Sequence, residues 1–134
     1  MYVNSAVVDD NLTFVDRAYG ADDLTSDRVA GLVRMLDGDR HTLVTLSPGG
    51  EAHMAIGGGA DTGLVVYTTS DNLVFHRLRT GSPRPAGTIS LFAGGQPGDY
   101  DSHYVATIEE ALVAATRYAE RGELADEFHW DTSG

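Results

Sequence analysis

The sequence predicts a single α+β domain, and three observations carry that prediction. Two stretches, Thr25–Leu36 and Thr107–Arg121, repeat apolar residues at helical spacing. Between them lies a succession of short apolar segments. Those segments are separated by turn-forming glycine, proline, asparagine and aspartate. Strands joined by such short turns run antiparallel, because a parallel pair needs a long crossover. The expected architecture is an antiparallel sheet of about five to six strands with both helices packed on one face. The 134 residues suit one domain with one core, and 42% hydrophobic content excludes a disordered chain.

Tyr2–Val8 is apolar enough for a strand, and Leu12–Val15 is a second candidate, with Asp9-Asp10-Asn11 as the turn between them. Whether these two pair with each other or with the main sheet is open at this level. Helix Thr25–Leu36 carries Val29, Leu32, Val33 and Leu36 on one stripe. Thr25 or Asp23 is its N-cap, and Gly38 lies just past its end. Asp22, Asp23 and Asp27 suit the positive end of the helix dipole.

His41–Leu46 reads as a strand, Ser47-Pro48-Gly49-Gly50 as a turn, and Glu51–Ile56 as an alternating strand. Gly57-Gly58-Gly59-Ala60-Asp61 reads as a flexible link. Leu64–Tyr67 is apolar on both faces, which fits a central strand. Ser70-Asp71-Asn72 connects it tightly to Leu73–Leu78. Thr80–Gly87, with two prolines and two glycines, is a loop. Thr88–Phe92 is a fifth strand, and Ala93–Ser102 a second long loop, rich in glycine and acidic residues.

The C-terminal helix is the element the sheet is built to receive. Thr107-Ile108-Glu109-Glu110 has the form of a capping box, in which Thr107 and Glu110 satisfy each other's backbone N–H groups. Ile108, Leu112, Ala115 and Ala119 form its apolar stripe, and Gly122 is a natural stop. Glu127-Phe128-His129-Trp130 then carries aromatic residues suited to a short strand.

Composition narrows the function classes. With no cysteine, disulfides, zinc knuckles and thiol catalysis are excluded. Twenty acidic residues against nine basic ones give a net charge of −11. All nine basic residues are arginine. That balance opposes direct nucleic-acid binding, which needs a basic patch, and favours a basic partner. No charged-then-apolar leader opens the sequence and no apolar run reaches membrane-spanning length, so the expected location is cytoplasmic.

Catalytic patterns are weak. His41, His53, His76, His103 and His129 are scattered over different elements and lack the paired spacing of a zinc site. Asp99-Tyr100-Asp101-Ser102-His103 is the best local cluster, and a solvated acidic loop accounts for it. Gly57-Gly58-Gly59 is followed by a strand and not by the helix N-terminus that a phosphate cradle requires. Neither a cofactor nor catalysis is expected.

Two segments together resemble a known family. Ile108–Trp130 is a helix ending near Arg121-Gly122, followed by a short strand closing on Trp130. It resembles the C-terminal signature of the first-numbered family of bacterial polymorphic-toxin immunity proteins. His41–Gly81 resembles that family's central part: a strand, the Pro48-Gly49 turn, a strand ending in glycines, then Gly63-Leu64-Val65-Val66-Tyr67 and a further strand. The chain departs from the family between Gly122 and Trp130, where Glu123-Leu124-Ala125-Asp126 stands in place of the usual proline. The resemblance implies a cytoplasmic protein that binds and neutralises a cognate toxin domain, a nucleic-acid deaminase or nuclease, with no activity of its own. For such a basic partner, the candidate contacts are Asp61 and Asp71 in the hairpin links and Asp99, Tyr100 and Asp101 in the long loop. The competing class is a small-molecule-binding or metal-dependent enzyme domain using the open sheet face and the Asp99–His103 loop.

Overall fold

The computed structural model describes residues 1–134. Along the chain it has β1 (Ser5–Val8), β2 (Arg17–Gly20), α1 (Ser26–Arg34), β3 (Leu43–Gly49), β4 (Ala52–Gly59), β5 (Gly63–Thr69) and β6 (Phe75–Arg79). After these come β7 (Thr88–Ala93), β8 (Gln96–Asp101), α2 (Ile108–Arg121) and β9 (His129–Ser133). Seven strands form one antiparallel sheet in the order β2-β1-β3-β4-β5-β6-β9, and β7 and β8 pair only with each other. The domain is α+β, with no helix long and apolar enough to cross a membrane.

Strand alternation decides where the core lies. Ala6 and Val8 of β1, Val44 and Leu46 of β3, Met54 and Ile56 of β4, Leu64 and Val66 of β5, and Leu78 of β6 are all buried. They share one core with Val29, Leu32 and Val33 of α1 and with a run of alanines on α2. Ala111, Ala114, Ala115 and Ala119 are fully buried, and their small size lets α2 lie close to the sheet. The first residues are tied to the end of this helix. The N–H groups of Tyr2 and Val3 both donate to the Ala119 carbonyl. The Tyr2 ring lies where a Cβ on Gly122 would sit, and Gly122 ends the helix at φ 69°.

Both predicted helix starts are present. Thr25 Oγ1 accepts from the Arg28 N–H at 3.1 Å. In the capping box, Thr107 Oγ1 accepts from the Glu110 N–H at 3.2 Å and Glu110 Oε1 accepts from the Thr107 N–H at 3.0 Å. Glu110 does more than cap. It also takes the Thr80 hydroxyl at 2.7 Å and the Gly81 N–H at 2.8 Å, which fastens the β6–β7 connection to the helix start. Burial alone would raise the Glu110 carboxyl. The donors from Thr107, Gly81 and Thr80 outweigh it and hold the group below its ordinary value.

The structure differs from the sequence reading in four places. Leu12–Val15 is not a strand: Asp10 accepts the N–H groups of Leu12 and Thr13 on its carboxylate and that of Phe14 on its carbonyl, which curls the segment. Arg17–Gly20 is the strand instead, and β1 lies between it and β3, so the main sheet has seven strands. Gly57-Gly58-Gly59 is no flexible link but the end of β4, paired with β5 as far as Gly59 and Gly63. Leu73 and Val74 lie outside β6, because Asp71 Oδ1 accepts both of their N–H groups at 2.8 and 3.0 Å. Finally, Thr88–Phe92 leaves the main sheet and Ala93–Ser102 is not a loop. Together they make a hairpin that turns at Gly94 and Gly95, with φ of 63° and 76°. Two consecutive positive φ values are what a tight turn between twisted strands demands.

The Glu110 knot makes stability depend on pH in a defined direction. A carboxyl held below its unfolded value of 4.5 contributes its full share above that pH, and loses it as pH falls through the folded value. Glu110→Gln should therefore cost about 1 kcal/mol at pH 7. Urea melts of both proteins should converge as pH drops below 4.5, because a protonated Glu110 resembles the glutamine. A gap that stays constant down to low pH would mean the charge is not what ties the knot.

Candidate functional site

The helices cover one face of the main sheet, and the other face is partly open. Register places Thr45, Ala55, Tyr67, Arg77 and Asp131 in one row across β3, β4, β5, β6 and β9. The β7–β8 hairpin lies over this face as an arm. Gly57 makes the close approach possible: a Cβ there would come within 2.9 Å of the Ala93 Cβ. The tip of the arm is pinned by the Gly95 N–H, which donates to Thr42 Oγ1 at 2.8 Å.

Where arm and sheet meet there is a cleft of about 310 Å³. Tyr67, Tyr100, Tyr104 and Arg77 line it, and the exposed Asp99 and Asp101 border it. The Arg77 guanidinium lies 4.2 Å from the Tyr104 ring centroid, a cation–π arrangement. The Tyr104 hydroxyl donates to Asp131 Oδ2 at 2.6 Å, with Arg79 Nη1 at 3.3 Å from the same oxygen. His129 Nε2 lies 2.8 Å from Asp131 Oδ1. The Tyr104 bond, then the His129 and Arg79 contacts, hold the Asp131 carboxyl below its ordinary value. The same bond raises the Tyr104 phenol. Burial, with Tyr100 nearby, raises Tyr67. Three side chains thus converge on one carboxylate and occupy most of its acceptor sites. Tyr67 also continues outward into an aromatic row, with His53 and Phe75 edge-on at 6.1 and 6.0 Å.

The candidates named from the sequence fall into three places. Asp61 is exposed in the β4–β5 turn and Asp71 in the β5–β6 turn, so β5 separates them and they form no common site. Asp71 is also occupied by its own turn, whose Val74 and Leu73 N–H groups lower its carboxyl. Asp99, Tyr100 and Asp101 do lie together on β8. Strand alternation leaves the two carboxylates exposed and turns the half-buried Tyr100 the other way. The Asp99–His103 cluster is divided among separate partners. Asp99 takes the Ser90 hydroxyl at 2.6 Å, and Asp101 takes the His103 N–H at 2.9 Å with the His103 ring at 3.0 Å. Ser102 is buried and donates to the Pro85 carbonyl. No group of three or more His, Cys, Asp or Glu side chains converges anywhere in the molecule.

Sequence reasoning missed Tyr67, Arg77, Tyr104 and Asp131 as site residues. They come from β5, β6, the turn before α2, and β9. The strand register brings Tyr67, Arg77 and Asp131 together, and Tyr104 joins them from its turn through Asp131 and Arg77. Alternation in Phe75–Arg79 is the one local sign that Arg77 points away from the core. The chain matches no family model, and no curated protein or solved structure is detectably similar to it.

The seat of the arm on Gly57 can be tested directly. Gly57→Val suits a strand but places side-chain atoms where Ala93 lies. Amide hydrogen exchange should rise in residues 88–101 while β4 and β5 stay protected. Unchanged protection of the arm would show that its contact with Gly57 does not hold it.

Proposed function

We propose that this chain is an immunity-type binding protein that neutralises a cognate, nucleic-acid-directed toxin domain by covering its basic substrate groove in the cytoplasm. The observation that carries the reading is the arm. It holds Asp99 and Asp101 exposed beside a tyrosine-lined cleft, on a sheet face that neither helix covers. The net charge of −11 and the resemblance to the first-numbered immunity family support it. Carboxylates so placed can stand in for phosphate oxygens as acceptors from arginine and lysine. Tyr100, Tyr67 and Tyr104 offer amphipathic surface to a side chain entering the cleft. Asp61 and Asp71, at opposite ends of β5, belong to the rim if the partner reaches them.

A second reading has one observation in its favour: the cleft, at about 310 Å³, lies at the small end of the range for ligand pockets. A small molecule bound there would rest on the three tyrosines and Arg77.

Binding kinetics against the toxin domain encoded beside this chain distinguish the contributions. Rim charges act mainly on association and are screened by salt. Asp99→Ala and Asp101→Ala should therefore slow association several-fold at low salt and little at high salt. Tyr100→Ala should instead speed dissociation, at a cost of about 2 kcal/mol if the ring is an anchor. Unaltered kinetics in all three variants would remove the arm from the interface. A wild-type protein that neither binds nor protects against that toxin would refute the immunity reading.

A further inference from the structure

The β1–β2 connection presents an apolar surface that the core does not use. Leu12, Phe14 and Val15 are 68%, 84% and 68% exposed. Exposed large side chains clustered in this way mark interaction sites more often than chance. The segment is not loose. The Asp10 carboxylate takes Arg40 Nε at 3.0 Å and Nη2 at 2.9 Å, as well as the N–H groups of Leu12 and Thr13. Asn11 anchors the turn through its N–H and Nδ2, both donating to the Arg40 carbonyl. Phe14 is held at φ 61°, a left-handed conformation that a phenylalanine rarely adopts. The loop therefore displays its apolar tip in a fixed shape, at some local cost. A groove separates it from the tip of the arm, lined by Leu12, Phe14 and Phe92 with Asp39 on its rim.

We infer that this knuckle inserts into an apolar pocket with a basic rim on the same toxin domain, as a second contact beside the arm. The inference rests on the immunity reading above. Charge complementarity selects the occupant. Asp16 and Asp39 beside the tip are exposed. Arg40 is neutralised by Asp10, and the exposed Arg17 lies 5.3 Å from the Tyr19 ring centroid, which leaves Asp39 on the groove's rim without a cation of its own. A second copy of this chain, itself at −11, would be repelled. Three side chains offer on the order of a few hundred Å², well under the ~800 Å² each partner gives a stable interface. The patch is thus an anchor within a larger contact, and the groove joins it to the arm. A preorganised apolar anchor limits the ordering cost of binding.

The test uses Phe14→Asn in the full chain, with Phe14→Leu and Val113→Ser beside it. Asparagine tolerates the left-handed conformation, so Phe14→Asn should melt at or above the wild-type temperature. Against the catalytically inactivated neighbouring toxin it should dissociate at least tenfold faster, at low and high salt alike. Phe14→Leu should recover part of the loss, and Val113→Ser, on the exposed side of α2, should bind as wild type. Normal kinetics for Phe14→Asn while the wild type binds tightly would overturn the knuckle and leave the immunity reading standing. Failure of the wild type to bind would remove both. Sedimentation of the protein alone should show a monomer. A dimer dissociated by Phe14→Asn would reassign the patch to self-association and overturn the inference.

Discussion

The Asp9 carboxylate is the interaction on which the arm-bearing face depends. One oxygen accepts the N–H groups of Thr42 and Leu43 at 2.6 and 2.9 Å, and the other accepts the Thr42 hydroxyl and Asn11 Nδ2. Thr42 is fully buried, and the same hydroxyl oxygen receives the Gly95 N–H from the tip of the arm. Three pieces of chain distant in sequence are thereby fixed to one another: the β1–β2 turn, the start of β3 and the arm. This buried hydroxyl donates to a carboxylate and accepts from a backbone amide, with Asn11 Nδ2 also 3.5 Å from its oxygen, so both of its roles are used by the protein itself. The arm can therefore cross an open sheet face without a hydrophobic core of its own.

That crossing also explains which parts of the fold were legible in the sequence. The helices were legible because their signals are local: Thr25 and Thr107 at the starts, Gly122 at φ 69° at the end of α2, and apolar stripes between. The β3–β4–β5 meander was legible for the same reason. The arm was not, because Gly94-Gly95-Gln96-Pro97-Gly98-Asp99 has the composition of a loop, and its pairing is decided by what lies beneath it. Gly57-Gly58-Gly59 was misread as a link by the same local logic. Gly57 lacks a side chain because Ala93 passes over it, and Gly58 because Gly63 does. Glycine in those positions records close approach of backbones, not freedom.

The cleft was the least legible feature. Tyr67, Arg77, Tyr104 and Asp131 are unremarkable in isolation, and no spacing rule links them. Tyr104 reaches the others from the turn before α2, through Asp131 and Arg77, and those others meet by two facts of register, Tyr67 opposite Arg77 and Arg77 opposite Asp131. The second depends on β9 closing the sheet edge beside β6. Trp130 secures that closure from the opposite face, packing against the core and donating from its indole N–H to the Ala125 carbonyl at 2.9 Å. The tryptophan that stands out in the sequence thus serves the site indirectly, by fixing the strand that carries Asp131.

The net charge of −11 overstates the charge a partner can use. Asp9, Asp10, Asp37, Asp71, Glu110 and Asp131 each accept several hydrogen bonds from the protein itself, so their lone pairs are largely committed to turns, caps and the sheet edge. Asp101 is partly committed, to the turn that follows β8. Asp16, Asp39, Asp61 and Asp99 are exposed among the rest, with Asp99 taking only the Ser90 hydroxyl. Asp61 lies in the β4–β5 turn, which packs against Gly38 next to Asp39, whereas Asp99 is on the arm and Asp16 and Asp39 are near the knuckle. Six of the twenty acidic side chains are thus committed to turns, caps and the sheet edge, and among the exposed remainder Asp99 stands on the arm beside the open cleft.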